Sequence, residues 1–105
     1  MYHPPTESLE PISLLKAAAD PVRLNILTIL ADHEEHTCSD IADSLNIPLS
    51  TLSHHLRILR EAGFTQGRKE STTRYTSLRC DDLNQRFPGL LPLLKEFGRD
   101  ETQQK

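Results

Sequence analysis

Apolar side chains recur every three or four residues from Leu9 to Ala62, and this spacing predicts helices. Four helices are predicted, over about residues 9–19, 21–32, 38–45 and 48–62. The second is apolar on nearly all sides, which is typical of a central, buried helix. A turn of three to four residues joins the third helix to the fourth, and two helices connected in this way form a helix-turn-helix.

The residues at the ends of these helices support the predicted boundaries. Asp20 is a favourable N-cap for the second helix, and Pro21 suits its first position. Thr37 and Asp40 resemble a capping box at the start of the third helix, although Glu or Gln is more usual at the second position. Gly63 is expected to end the fourth helix in the left-handed conformation.

The pattern changes after the fourth helix. Residues 64–69 and 73–78 are short, Thr-rich and extended, and the segment between them is polar. This arrangement predicts a β-hairpin with its tip at residues 70–72. A hairpin directly after a helix-turn-helix is a wing, so the predicted fold class is mainly α with a small β-hairpin (α+β), a winged helix-turn-helix.

A last helix is predicted over about residues 83–97, capped by Asp81 or Asp82 and broken or kinked at Pro88-Gly89. Its leucines present more apolar surface than a lone terminal helix can bury on so small a domain, which suggests a partner subunit. These leucines are Leu90, Leu91, Leu93 and Leu94.

A chain of 105 residues is long enough for one small core. We predict a flexible N-terminal arm over residues 1–8, a single domain for DNA binding and dimerisation over residues 9–98, and a polar tail over residues 99–105.

The fourth helix has two contrasting faces. With 100° per residue and Leu52 as zero, the other three leucines fall within about 60° and are expected to be buried with it. They are Leu49, Leu56 and Leu59. The opposite face carries hydroxyl, imidazole and guanidinium groups, which read base edges or bind phosphates when a helix enters the major groove. The predicted DNA-binding residues are Ser50, Thr51, Ser53, His54 and Arg57 of the helix, with Arg68, Lys69 and Arg74 of the hairpin.

Charge is distributed unevenly along the chain. The net charge is −3, which by itself argues against a polyanionic partner. Residues 1–53 carry two basic and eight acidic side chains, a balance of −6, whereas residues 54–79 carry six basic and two acidic ones, a balance of +4. DNA binding depends on a local basic patch more than on a basic whole, and the patch lies where the fourth helix and the hairpin are predicted.

An enzyme is the main contrasting class, and the sequence does not favour it. His54 and His55 are adjacent in a helix, so their side chains point about 100° apart, and no carboxylate is placed to orient either. His55 is expected to pack or cap on the helix flank. The chain contains no glycine-rich phosphate loop, and we expect neither catalysis nor a cofactor.

A more serious alternative is a winged-helix protein-interaction module without DNA binding. That alternative predicts an uncharged or acidic face on the fourth helix, contrary to the +4 balance of residues 54–79. The apolar runs are too short to cross a bilayer, and residues 1–11 have no signal-peptide core, so a cytoplasmic protein without membrane association is expected.

Three segments of the chain resemble the ArsR/SmtB family of bacterial winged-helix repressors: "LLKAAADPVRLNILTIL", "DIADSLNIPLSTLSHHLRILREAGF" and "GRKESTTRYTSL". The resemblance implies a homodimer joined through its first and last helices. It also implies that the dimer binds an imperfect palindromic operator in double-stranded DNA and represses transcription until an effector releases it. One position departs from the family pattern: many members have glutamine where this chain has Leu49, so the operator is expected to differ.

The sequence alone does not identify the effector. Metal-sensing members carry a C-x-C-D-L box, and the matching stretch here has Thr37 and Ser39 at the two ligand positions, with Cys38 between them. The last helix has no histidine, so neither family metal site is intact and no metal site is predicted. A non-standard site at His33, His36 and Cys38 stays an open alternative.

Thiol oxidation at Cys38 is the leading hypothesis for the switch. A cysteine at a helix N-terminus is favoured as thiolate, although Glu34 and Glu35 oppose this effect. The alternative is a small, partly buried packing residue. Cys80, beside two aspartates, is expected to be less reactive and structural.

Overall fold

The helices and strands follow the predicted order, and the winged helix-turn-helix is confirmed. The computed structural model describes the backbone of residues 2–103 and the side chains of residues 2–98. The helices are α1 (Pro11–Ala18), α2 (Pro21–Leu30), α3 (Cys38–Leu45), α4 (Leu49–Ala62), α5 (Cys80–Arg86) and α6 (Leu90–Gln103). The strands are β1 (His36–Thr37), β2 (Thr65–Glu70) and β3 (Thr73–Leu78), and a single 3₁₀ turn covers Thr6–Ser8. None of the helices within residues 2–103 is both long and apolar enough to cross a membrane.

Of the predicted N-caps, that of α2 is present in full and that of α3 in part. The Asp20 carboxylate accepts hydrogen bonds from the backbone N–H groups of Val22 at 2.9 Å and Arg23 at 3.1 Å. Although burial acts to raise it, the pKa of Asp20 is lowered, because these N–H groups and the charge of Arg23 stabilise the carboxylate. At α3 the Thr37 hydroxyl accepts from the Asp40 N–H at 3.1 Å. The described hydrogen bonds do not include the return bond that a full capping box requires.

Gly63 ends α4 as predicted. Its φ is +102°, a left-handed conformation that side chains other than glycine rarely adopt. A Cβ atom at this position would also collide with the side chain of Leu9, which is buried beneath the turn. The chain therefore turns sharply from α4 into β2.

The hairpin contains one more strand than the sequence predicts. Strands β2 and β3 pair antiparallel through a two-residue turn, in which Ser71 has a φ of +56°. The short strand β1 pairs with the other edge of β3, with His36 opposite Thr76 and Thr37 opposite Tyr75. A two-residue strand carries no periodic signal in the sequence. Its effect is to fix the start of α3 against the wing.

One prediction for α4 is wrong. Leu52 and Leu59 have no exposed surface and Leu56 is partly buried, but Leu49 is 49% exposed. Leu49 is the first residue of α4 and lies on the flank of the apolar stripe, where the other helices do not cover it. The core instead includes Leu14 of α1, Ile26 of α2 and Phe64 after α4, which are each at most 1% exposed.

The C-terminal region differs from the prediction at its first cap. Helix α5 begins at Cys80, its N-cap is Arg79, and no side chain caps it, so the prediction of Asp81 or Asp82 as the cap is wrong. The predicted break at Pro88-Gly89 is present, and Gly89 has a φ of +93°. Helix α6 packs on α2 and continues to Gln103, within the predicted polar tail, whose side chains lie outside the described residues.

Two residues set how closely α6 approaches α2. Gly98 is buried, and a Cβ atom there would collide with the hydroxyl of Thr28. The Thr28 hydroxyl donates to the carbonyl of Leu24 at 3.0 Å, one turn earlier in α2. Glycine at this position therefore lets the backbone of α6 lie directly on α2.

The N-terminal segment lies against the domain over residues 2–9. The Arg60 Nε donates to the carbonyl of Tyr2 at 3.1 Å, and the Gly67 N–H donates to the Nε2 of His3 at 3.0 Å. Arg86 donates to the carbonyl of Thr6 at 3.1 Å. Met1 lies outside the described residues, and the flexibility of the arm stays a prediction.

Candidate nucleic-acid interface

Helix α4 presents its predicted DNA-binding residues to solvent. Two fully buried leucines, Leu52 and Leu59, fix the rotation of the helix, so that the opposite face is turned outward. The residues on that face are all exposed: Ser50, Thr51, Ser53, His54 and Arg57. Short hydroxyl groups occupy the first turns of the helix, and longer basic groups follow them. The N-terminal half of α4 can therefore approach the floor of a DNA groove closely.

The two faces of the wing carry different basic residues. Lys69 lies opposite Arg74 in the β2–β3 register, whereas Arg68 lies opposite Tyr75. Directly opposite residues of an antiparallel pair share a face, so Lys69 and Arg74 are on one side and Arg68 is on the other. Thr76, on the side of Lys69 and Arg74, is buried against the helices. Those two cations therefore continue the surface that faces α4.

An open cleft of about 670 Å³ separates α4 from the wing and from the start of α3. Its walls are rich in hydroxyl groups, from Thr37, Ser39, Ser50, Ser53, Thr65, Thr72, Thr73, Tyr75 and Thr76. Arg60 and Arg74 supply positive charge, and Leu49 and Leu56 supply apolar surface. The structure thus brings together Ser50, Ser53 and Arg74 from the predicted site along one concave surface.

Arg60 was missed in the sequence analysis. It lies about 80° from Leu52 on α4, on the flank between the apolar stripe and the exposed polar face. Its position eleven residues after Leu49, at helical spacing on the same flank, was the available signal. Its Nε donates to the carbonyl of Tyr2. Arg60 therefore contacts the N-terminal segment and also lines the cleft.

Arg68 has acidic partners within the protein. Its Nε and Nη2 donate to the two carboxylate oxygens of Glu35 at 2.7 and 2.8 Å, and its Nη1 donates to Glu70 at 3.3 Å. The guanidinium carbon lies 4.3 Å from the centre of the Tyr75 ring. The hydrogen bonds from Arg68 lower the pKa of Glu35. Arg68 thereby joins the outer face of the wing to the loop before β1, and its contact with DNA stays a prediction.

His55 has a structural contact, as predicted for the flank of α4. The Arg23 Nη1 lies 3.2 Å from the His55 Nδ1, and the Arg23 Nε donates to the carbonyl of Ala17 at 2.6 Å. A guanidinium only donates, so in this hydrogen bond the His55 Nδ1 is the acceptor. Arg23 consequently ties the end of α1 to α4, whereas His54 is exposed on the outer face.

Cys38 is half-buried, and this changes its expected chemistry. Burial raises the pKa of the Cys38 thiol, and the positive charge of Arg74 acts in the opposite direction without reversing the shift. The loss of solvent therefore opposes the thiolate that the helix N-terminus favours, and the partial burial matches the alternative of a packing residue. The thiol still lines the cleft between α4 and the wing. Its role as a sensor stays a prediction.

The histidines near Cys38 do not assemble a metal site with it. The His36 Nε2 lies 2.8 Å from a carboxylate oxygen of Asp32. Within the part of the chain that the structure describes, no group of three or more His, Cys, Asp or Glu side chains is placed to hold a metal ion. The open alternative of a site at His33, His36 and Cys38 therefore gains no support.

Large apolar side chains are also exposed outside the cleft, on the first helix and on the last one. Ile12 and Leu15 of α1 are 62% and 51% exposed, and Leu93 and Phe97 of α6 are 49% and 50% exposed. Of the four leucines of the last helix predicted on this surface, only Leu93 is exposed, because Leu94 is buried in the core and Leu90 and Leu91 are partly buried against it. We call these four exposed residues the apolar face.

Comparison with known proteins agrees with this architecture. A family model described as a helix-turn-helix domain matches residues 18–67, which contain α2, α3 and α4. The chain is 40% identical over 82 residues to the uncharacterized HTH-type transcriptional regulator YceK of Bacillus subtilis, covering 77% of this chain and 82% of YceK. It is 31% identical over 88 residues to the transcriptional repressor SdpR of the same organism, covering 84% of this chain and 97% of SdpR.

A solved structure is similar over most of the chain. It is the solution structure of the homodimeric winged helix-turn-helix DNA-binding domain of Mb0332 from Mycobacterium bovis, described as a possible ArsR-family transcriptional regulator. The TM-score is 0.69 and the identity 26%, over 90% of this chain and 82% of that one. On these grounds the chain belongs to the ArsR/SmtB family of winged helix-turn-helix transcriptional regulators.

Proposed function

We propose that the protein is a cytoplasmic, homodimeric repressor that binds an imperfect palindromic operator and leaves it in response to an effector. The observation that carries the proposal is the exposed hydroxyl and basic face of α4, which adjoins a cleft and the two cations of the wing. The similarity to SdpR, a transcriptional repressor, supports repression as the outcome of binding.

In this proposal α4 enters the major groove. Ser50, Ser53 and His54 lie in its first two turns and would contact base edges, as the N-terminal residues of a recognition helix do. Thr51 would lie near the sugar–phosphate backbone of the DNA. Arg57, one turn further, would bind a phosphate or a guanine.

The wing would contact the backbone or the minor groove through Lys69 and Arg74. The structure gives these two side chains no ion pair among the described residues. Arg68 is a weaker candidate, since a DNA phosphate would have to compete with Glu35 and Glu70 for it. That competition is feasible because the ion pair is exposed, and exposed pairs are weak.

Dimerisation would use the apolar face. A two-fold dimer presents its two recognition helices about one DNA turn apart, roughly 34 Å, and thereby reads two half-sites. The Mb0332 domain, which shares the fold, is homodimeric. Exposed leucine, isoleucine and phenylalanine on two helices are the side chains that a stable interface buries.

Substitution of Arg57 by alanine is expected to weaken operator binding at least tenfold. If each Arg57 neutralises one phosphate, the dimer loses two phosphate contacts, and the log–log slope of affinity against salt becomes shallower by about 1.8. If Arg57 reads guanine instead, the slope of affinity against salt stays unchanged, and the variant no longer discriminates between bases at one position of the operator. Fluorescence anisotropy measures both, on a duplex selected by the wild-type protein from a random-sequence pool.

The Arg68→Ala variant is the matched control for this experiment. It also removes one exposed arginine, but one that Glu35 and Glu70 already neutralise, so its slope and affinity should change less than those of Arg57→Ala. Equal effects of the two variants would contradict the assignment. Selection of no duplex, with no salt-dependent binding, would favour the protein-interaction module.

Oxidation of Cys38 is proposed as the releasing signal. Peroxide would convert the thiol to a sulfenic acid and water, adding an oxygen to a wall of the cleft beside α4 and the wing. Because its pKa is raised, the thiol is mostly protonated near neutral pH, and slow oxidation is expected. Wild-type protein should lose operator binding after peroxide treatment, and Cys38→Ser should keep it.

Cys80→Ser provides the control, since it leaves Cys38 as the single thiol and should still release DNA. Cys80 is also partly buried, its pKa is raised by burial, and it lies outside the cleft. Release of DNA by oxidised Cys38→Ser would exclude this switch and direct attention to a small organic effector.

A further inference from the structure

Leu49 is a large apolar side chain that is exposed to water at the start of α4. It is the first residue of α4, preceded by the N-cap Pro48, and half of its surface is accessible. Of the other three leucines of α4, Leu52 and Leu59 are completely buried and Leu56 is partly buried. About half of this aliphatic side chain stays open to water in one subunit, and its place in the cleft directs attention to an external contact.

The neighbours of Leu49 are the groups proposed to approach DNA. On the helix it lies about 40° from Ser53 and about 100° from Ser50, and all three line the cleft between α4 and the wing. The three side chains stand within the first five residues of the helix. Leu49 is thus the one large apolar group at the end of α4 that the proposed docking inserts deepest.

We propose that Leu49 reads the 5-methyl group of thymine in the operator, an inference that rests on the proposed function of α4. Thymine is the base whose major-groove edge carries a methyl group, and apolar side chains recognise it by direct contact. The serines beside Leu49 supply hydrogen bonds but cannot distinguish thymine by that methyl group. Leu49 would therefore specify thymine at one position in each half-site.

The test replaces thymines of the selected operator one at a time by uracil, which differs only in lacking the methyl group. Wild-type protein is expected to lose affinity about fourfold when the critical thymine is replaced in one half-site, and about fifteenfold when it is replaced in both. Leu49→Ala is expected to bind the two duplexes equally. The loss on uracil substitution and the loss on Leu49 truncation are then not additive, which identifies direct contact.

A second variant keeps the test decisive if alanine at this position impairs folding. Leu49→Gln places an amide that binds adenine in two hydrogen bonds, so it should change the preferred base at that position from thymine to adenine. Circular dichroism of both variants checks that the fold is kept.

The outcomes separate this inference from the proposed function. If wild-type protein binds the selected duplex but no thymine is sensitive to uracil, or if Leu49→Ala keeps the same sensitivity, the role of Leu49 is overturned and DNA binding stands. If no duplex is bound at all, both the proposed function and the role of Leu49 are overturned.

Discussion

Replacement of Phe64 by alanine is expected to lower the free energy of unfolding by about 3–5 kcal/mol, most of the stability of a marginal small domain. Phe64 has no exposed surface and is the largest fully buried side chain among the described residues. Its removal leaves a cavity between the end of α4 and the start of β2. Urea denaturation followed by circular dichroism, at one fixed protein concentration, measures the loss.

The position of Phe64 makes the effect functional as well as structural. Its N–H donates to the carbonyl of Leu59 at 3.0 Å, and its carbonyl accepts from the Arg79 N–H at 2.9 Å. These bonds join α4 to the base of the wing on either side of Gly63. Loosening them should reduce DNA binding by changing the angle between α4 and the wing, even in conditions where the variant is folded.

Phe64→Leu is the control, because it keeps most of the buried volume. It is expected to cost less than about 1.5 kcal/mol and to bind the operator nearly as well as the wild type. A loss below 1 kcal/mol for Phe64→Ala would contradict the assignment of this residue to the centre of the core.

The parts of the fold that the sequence predicted are those specified by neighbouring residues. Gly63 ends α4 because few other residues adopt a φ of +102°, and Asp20 begins α2 because its carboxylate reaches N–H groups two and three residues ahead. Such signals are contained within a few positions of the chain. The exposed face of α4 was predictable for the same reason, since helical geometry alone separates it from the buried face.

The wrong cap of α5 was a local error, whereas other features that the sequence did not reveal depend on contacts between distant segments. Glu35 and Arg68 are 33 residues apart, so their pairing required knowledge of how the loop before β1 meets the wing. The thiolate character of Cys38 was argued from the start of its own helix, but its burial depends on the neighbouring elements. Leu49 is a further example. The sequence places it in the apolar stripe of α4, but it does not show that no other helix covers this position.

Charge introduced into the apolar face is expected to have the largest effect on function. Phe97→Glu should convert a dimer to a monomer, because a two-fold interface would bury two copies of the carboxylate without partners. A monomer binds one half-site and loses the gain from joining two, so operator affinity should fall by more than about 100-fold. Sedimentation equilibrium gives the mass, and anisotropy on the selected duplex gives the affinity.

The Tyr2→Glu variant separates this effect from a general effect of added charge. Tyr2 is 61% exposed but lies outside the apolar face, so the variant should keep the dimer. Ile12→Glu, on α1, should act like Phe97→Glu if both helices form one interface. A wild-type protein that sediments as a monomer, or Phe97→Glu protein that remains a tight-binding dimer, would contradict the proposed interface. Loss of DNA binding with the dimer intact would instead place Phe97 in the support of α4, because α6 packs on α2 beneath the helix-turn-helix.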